Sequence, residues 1–190
     1  MWMGSRLPTP RYNRGMDDNT LIRRINQAAI LRGEFTLRSG RTSNYYIDKY
    51  LFETQPDILK ALGERFARRI DADVDRVAGA ELGGIPLVAA TSMAVGKPSV
   101  LIRNQKKDYG TAKRFEGRLE KGDNVVIVED IVTSGGQVIE AANALVEQGA
   151  HIARIIAVID REEGGREAIE AAGYAFESLL TKVDLGIEKS

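Results

Sequence analysis

The sequence predicts an α/β fold in which five strands form a mainly parallel sheet flanked by helices. Three observations carry this. Apolar runs such as Val125–Val128 and Ile155–Ile159 have the length and β-branched composition of strands buried on both faces. From Arg76 onward, runs of this kind alternate with single helical segments, the pattern of βαβ units joined by right-handed crossovers. A chain of 190 residues with no Cys can bury roughly 70% of the surface its unfolded form exposes, so one core suffices without disulfide staples.

The elements follow in order. Met1–Asn19 carries Arg6, Arg11 and Arg14 beside Pro8 and Pro10 without an apolar core; this is a flexible extension (residues 1–19), not a secretory signal. From Asn19 or Thr20 to Leu31, apolar Leu21, Ile22, Ile25, Ala28 and Ala29 recur at helical spacing, and Gly33 ends the segment. Phe35–Leu37 and Tyr45–Phe52 read as short strands around the turn-forming stretch Ser39–Asn44. Pro56–Ile70 is a second amphipathic helix. Then come strand Arg76–Gly79, helix Ile85–Val95, strand Ser99–Arg103 and a polar loop to Glu120. Strand Asn124–Glu129, helix Gly136–Gln148, strand Ala153–Asp160, helix Gly165–Ala172 and strand Tyr174–Leu180 complete the domain, residues 20–190.

Composition excludes several functions. With no Cys and a single His, His151, neither a disulfide framework nor a Cys/His zinc cluster can be built, so any metal must be held by oxygen, and a reducing cytosol is a natural setting. Lys plus Arg and Asp plus Glu both total 27, so no net field draws the chain to nucleic acid or an anionic membrane. The longest apolar runs fall far short of the ~20 residues of a membrane span. His151 sits at the start of a strand, away from every motif, and is read as structural.

In parallel sheets ligands bind beyond the carboxyl ends of the strands, which directs attention to four loops. In the first, the apolar strand Val125–Val128 ends in Glu129-Asp130-Ile131-Val132-Thr133-Ser134-Gly135-Gly136-Gln137. Successive backbone N–H groups over Thr133–Gln137, at the positive end of a helix, suit a dianionic phosphate, and the two carboxylates can accept from ribose hydroxyls. An ordinary strand-to-helix turn with a solvated acidic pair is the bland alternative. The whole pattern resembles the phosphoribosyl pyrophosphate (PRPP) signature of type I phosphoribosyltransferases. No G-x-G-x-x-G is present, and Gly96-Lys97-Pro98 lacks the rest of a P-loop.

The remaining loops resemble those of the orotate phosphoribosyltransferase family, in an archaeal-type variant. Phe35–Gly40 and Ser43–Asp48 match the segment whose aromatic residues wall the base beside a cation, which implies roles for Arg38, Tyr45 and Tyr46 in orotate binding. A hairpin with a solvated Arg38 and core tyrosines is the alternative. Asp160-Arg161-Glu162-Glu163-Gly164 ends a buried strand, so the Arg161 fork can grip a planar carboxylate bidentately, or else pair with the neighbouring acids. The resemblance makes Arg161 and Thr133 orotate-binding residues. Gly79–Pro86 resembles a pyrophosphate-binding loop, with Gly83 standing where some relatives carry Lys and with Gly84 beside it. Arg103–Gly110 aligns with a mobile catalytic loop: Arg103, Lys107 and Gly110 match, Asn104 replaces a Lys, and Tyr109 replaces a His.

The resemblance therefore implies a type I phosphoribosyltransferase fold with a small N-terminal hood. It also implies a cytoplasmic homodimer sharing catalytic loops, which converts PRPP and orotate to orotidine 5′-monophosphate and pyrophosphate with Mg2+ carried mainly by PRPP and water. Lys107, Arg103 and Asp130 are the expected catalytic residues. Two alternatives stay open: a phosphoribosyltransferase for another base, which Arg161 would argue against, and a PRPP-sensing regulator, which the absence of a basic excess argues against.

Overall fold

The structure, a computed structural model, describes residues 15–36, 40, 42–104 and 114–187. Helix α1 (Asp18–Ala29) begins where the Asp17 carboxylate accepts from the Thr20 amide at 2.8 Å. The residues just before it are clipped to the body by buried Arg65, which donates to the Met16 carbonyl at 2.6 Å and to Asp18 at 2.7 Å. The helix expected to reach Leu31 ends earlier, because β-branched Ile30 takes an extended conformation and opens strand β1 (Ile30–Thr36).

Strand β1 pairs antiparallel with β2 (Thr42–Ile47) in a separate two-stranded sheet, the hood. The strand expected over Tyr45–Phe52 stops at Ile47. Asp48 there accepts from the Tyr50 amide at 3.2 Å and starts the short helix α2 (Lys49–Glu53), so a local cap overrides the β preference of the surrounding aromatics.

The remaining order is α3 (Pro56–Ala67), β3 (Arg76–Ala80), α4 (Gly84–Val95), β4 (Ser99–Ile102), β5 (Phe115–Glu116), β6 (Asn124–Val132), α5 (Gly136–Glu147), β7 (His151–Asp160), α6 (Gly165–Ala171) and β8 (Phe176–Thr181). The main sheet runs β5-β4-β3-β6-β7-β8. The five expected strands are all present and parallel; β5 is an addition at the edge, antiparallel to β4. A two-residue strand has no period that a sequence could display.

Alternation along β6 sorts the core into two layers. Val126 and Val128 face Leu62, Phe66 and Leu87 together with Leu21 and Ile25 of α1, Ile47 of β2 and Phe52 of α2. Val125 and Ile127 face Val138, Ala141 and Leu145 of α5. Burying each of the larger side chains contributes roughly 1.5–3 kcal/mol, and the first layer fixes the hood over the carboxyl ends of β3 and β6. His151 is exposed at the opposite end of β7 from Asp160.

Candidate active site

Strand β6 extends past Glu129 to Val132, in register with β7: Val132 lies opposite Asp160, and the Arg161 amide donates to the Val132 carbonyl at 2.9 Å. This register sets the Asp160-Arg161 corner beside the turn into α5. Glu129 and Ile131–Val138 line a pocket at that turn. Gly135 holds φ at 76°, and a Cβ there would lie 2.9 Å from the Gly165 carbonyl oxygen, so glycine lets the turn curl against α6. The first turn of α5 leaves its backbone N–H groups without intrahelical acceptors, facing a pocket suited to an anion.

The two acids at the end of β6 are not solvated. Glu129 and Asp130 are buried, and Asp130 accepts from Lys49 Nζ at 2.7 Å and from the Ile131 amide at 2.5 Å. A third carboxyl, Glu53 at 1% exposure, joins them from α2. Both Glu53 oxygens and Glu129 Oε2 are buried without a hydrogen-bond partner. Burial, with Asp130 nearby, pushes the Glu53 carboxyl up to about 8 and raises Glu129 well above the usual carboxylate range. For Lys49, burial alone would lower the ammonium, but Asp130 and then Glu129 outweigh it and the net shift is upward.

Gly83 closes this cluster from the loop after β3. A Cβ on Gly83 would fall 1.7 Å from Asp130 Oδ2 and 3.0 Å from Glu53 Oε1. The peptide between Glu81 and Leu82 is cis, and the Glu81 carboxylate accepts from the Asn104 amide at 2.8 Å. Asn104 in turn accepts from Gln137 Nε2 at 3.2 Å, linking the ends of β3 and β4 to the first turn of α5. At the end of β4, Arg103 Nε is buried without a partner. The Arg103 amide donates to the Arg114 carbonyl at 2.9 Å, so the loop between them leaves and returns at one edge.

On the base side, Arg161 Nη2 donates to the Tyr45 hydroxyl at 3.3 Å, the guanidinium lies 5.8 Å from that ring centroid, and Glu163 pairs with it at 2.9 Å. Tyr46 is not part of this group: alternation along β2 turns it to the other face, where it packs on Phe35 at 5.7 Å. Glu129 to Gln137, Gly83, Gly84, Arg103, Tyr45 and Arg161 thus converge on one end of the sheet. Arg38, Lys107 and Tyr109 lie outside the described residues. Lys49 and Glu53 escaped sequence reasoning. The signal that could have found them is a Lys and a Glu at i, i+4 directly after an Asp able to cap a helix.

A parallel sheet with helices packed on both faces, a phosphate-binding type of turn and a buried acidic pair at its carboxyl edge is the architecture of a phosphoribosyltransferase, and residues 52–174 match the phosphoribosyl transferase domain family. The orotate phosphoribosyltransferase of Halobacterium salinarum is 51% identical over 83% of this chain and 89% of that protein. The Mycobacterium tuberculosis orotate phosphoribosyltransferase, solved with Fe(III) dicitrate, superposes with a TM-score of 0.80 at 30% identity, covering 87% of this chain and 97% of that one. Its complex with PRPP gives a TM-score of 0.73 at 29% identity, over 87% and 96% of the two chains. The chain belongs to the orotate phosphoribosyltransferase family.

Proposed function

We propose that the chain transfers the 5-phosphoribosyl group of PRPP to orotate, releasing pyrophosphate and orotidine 5′-monophosphate, in pyrimidine (UMP) biosynthesis in the cytoplasm. The observation that carries this reading is the seating of the half-buried Arg161 against Val132, next to the cradle, with Tyr45 across from it. A purine offers such a cation only neutral acceptors, whereas the carboxylate of orotate matches its fork in both charge and geometry.

The roles follow from position. Backbone N–H groups over Thr133–Gln137 hold the 5′-phosphate, and Glu129 and Asp130 accept from the ribose hydroxyls. Thr133, Arg161 and Tyr45 are assigned to orotate, with Arg38 joining them on the family's pattern. As the bond from the ribose anomeric carbon to pyrophosphate lengthens, negative charge grows on the leaving group and positive charge on the sugar. Arg103 with the backbone at Gly83 and Gly84 faces the first, a role the family's pattern extends to Lys107 and Tyr109, and the acids at the end of β6 face the second. A ring nitrogen of orotate then forms the new bond.

The donors that face the sugar are hard carboxylate oxygens, one of them without a partner, chemistry that suits Mg2+. The resemblance to the family implies that the metal is carried mainly by PRPP and water. When bound, it neutralises charge on the departing pyrophosphate.

A homodimer agrees with the surface of α4, a helix apolar on nearly all sides whose Met93 is 81% exposed in its last turn, with Leu82 64% exposed in the loop before its first; such a helix calls for a covering partner. The deciding assay supplies purified protein with PRPP, Mg2+ and each of orotate, uracil, hypoxanthine and xanthine. Turnover with orotate alone is expected, and turnover with a purine but not orotate overturns the assignment.

A further inference from the structure

Helix α2 contributes two residues to the acid cluster that the roles above do not use. Lys49 sits in its first turn with Nζ 2.7 Å from Asp130 Oδ2, its side chain 31% exposed while that of Asp130 is 2% exposed. Glu53 follows one turn later, with both oxygens buried and unpartnered. Gly83 fixes the distances between them, because its α-carbon lies against both Asp130 and Glu53. Among the described residues, three buried carboxyls therefore share a single ammonium. The loop Gly79–Pro86, which closes the cluster, contributes no cation of its own.

We propose that Lys49 and Glu53 are positioning residues for the PRPP site, Lys49 holding the Asp130 carboxylate in the orientation that accepts a ribose hydroxyl and Glu53 buttressing the pair where Gly83 closes against both acids. This rests on the assignment of Asp130 to the ribose of PRPP.

The physical argument starts from charge. Carboxyls this close and this buried cannot all ionise beside one cation. The groups facing Glu53 are Asp130 on β6 and Lys49 and Asp48 on its own side, and the field of the acids with burial keeps its proton on. A protonated Glu53 can donate to Asp130, whereas an ionised one leaves two buried acceptors with nothing to accept. The groups facing Lys49 are Asp130, Glu129 and the Tyr50 ring, whose centroid is 5.4 Å away. All of them favour the charged amine. Asp130 thus takes Lys49 on one oxygen and the Ile131 amide on the other, which leaves its carboxylate little rotational freedom beside the pocket that Glu129 and Ile131 line.

Steady-state kinetics and calorimetric PRPP binding on the full-length protein, with thermal melts to confirm folding, test this with Lys49→Met, Lys49→Arg and Glu53→Gln. Lys49→Met is expected to raise KM and Kd for PRPP roughly 10–100-fold, the cost of a lost charge-assisted hydrogen bond, with a smaller fall in kcat. Lys49→Arg should recover most of the loss. In the wild type, KM for PRPP should climb above about pH 8 as Glu53 ionises, and Glu53→Gln should remove that climb. A KM for PRPP within about twofold of wild type in Lys49→Met, too small a change for a charged hydrogen bond, would overturn the role of Lys49. So would an Arg variant no better than Met. An alkaline climb that persists in Glu53→Gln would overturn the role of Glu53. Should Lys49→Met fail to fold, Lys49→Arg and Glu53→Gln decide the matter by the same criteria. Wild-type protein that binds PRPP in the calorimeter yet never consumes orotate would sink the orotate assignment instead, leaving these binding comparisons valid.

Discussion

Arg161 and Tyr45 join the sheet to the hood: the guanidinium at the end of β7 donates to the Tyr45 hydroxyl of β2 across 3.3 Å and lies 5.8 Å from its ring centroid. Glu163 completes the set at 2.9 Å. An incoming carboxylate would meet Arg161 already oriented, with Nε buried and still without a partner. Arg161→Ala is therefore expected to weaken orotate binding by roughly 1.5–3 kcal/mol, the range for hydrogen bonds to a charged group. PRPP binding should be nearly intact, since the cradle is built from backbone. Calorimetry with each substrate checks the split, and an unchanged orotate Kd would leave Arg161 as the ion-pair partner of Glu163 only.

Gly83 gives a sharper steric test. A methyl group at that position would fall 1.7 Å from Asp130 Oδ2, a distance no packing tolerates, so Gly83→Ala must displace either the loop or the Asp130–Lys49 pair. A stability loss of roughly 1–3 kcal/mol is expected, the usual cost of overpacking. Affinity for PRPP should fall with it. Thermal melts and PRPP titrations measure both, and a variant matching wild type in the two would mean that the loop relaxes freely away from the cluster.

Much of this was legible before the structure. Val125–Val128, the Glu129–Gln137 turn and the Asp160-Arg161 corner announce themselves because strand period, turn chemistry and helix start coincide along a contiguous stretch. What the sequence hid is non-local or short. Lys49 and Glu53 lay in a segment whose tyrosines read as a continuing strand, and only the cap at Asp48 turns it into a helix. Tyr46 shares a dipeptide with Tyr45 yet faces Phe35 instead of Arg161, because one residue along a strand reverses the side chain and the hairpin register settles which face is which. Strand β5 exists through its pairing with β4 and had no pattern to read.

Folding stability should carry the signature of Glu53. Its carboxyl is raised from 4.5 to about 8 in the folded protein, so between those values the native state holds a proton that the unfolded chain has released. Stability from this group is present below about pH 4.5 and is lost progressively as pH rises toward 8. Full conversion at ~1.4 kcal/mol per pH unit would overstate the loss, because the cluster can relax and admit water; roughly 1–3 kcal/mol is expected. Chemical denaturation across this pH range should slope downward for wild type and be flatter for Glu53→Gln. Parallel profiles for the two proteins would show that Glu53 does not hold its proton in the native state.

The last prediction concerns Lys107 and the sharing of active sites. The loop that carries it departs after β4 and returns at Arg114, with the Arg103 amide bonded to the Arg114 carbonyl, so its base is anchored beside the cradle linked through Asn104 and Gln137. If Lys107 meets charge chiefly as pyrophosphate departs, Lys107→Ala should lower turnover by roughly 10²–10³, the cost of removing one preorganised electrostatic stabiliser. Substrate affinities should change less, because the interaction strengthens only in the transition state. Whether that loop serves its own cradle or its neighbour's is decided by mixing Lys107→Ala with Asp130→Ala. When loops are exchanged within a dimer, a mixed pair has one site with both lesions and one with neither, and activity should return to half of a wild-type dimer's. When each loop serves its own subunit, every site keeps one lesion and the mixture stays inactive despite demonstrated subunit exchange. Unaltered turnover in Lys107→Ala alone would remove Lys107 from the mechanism altogether.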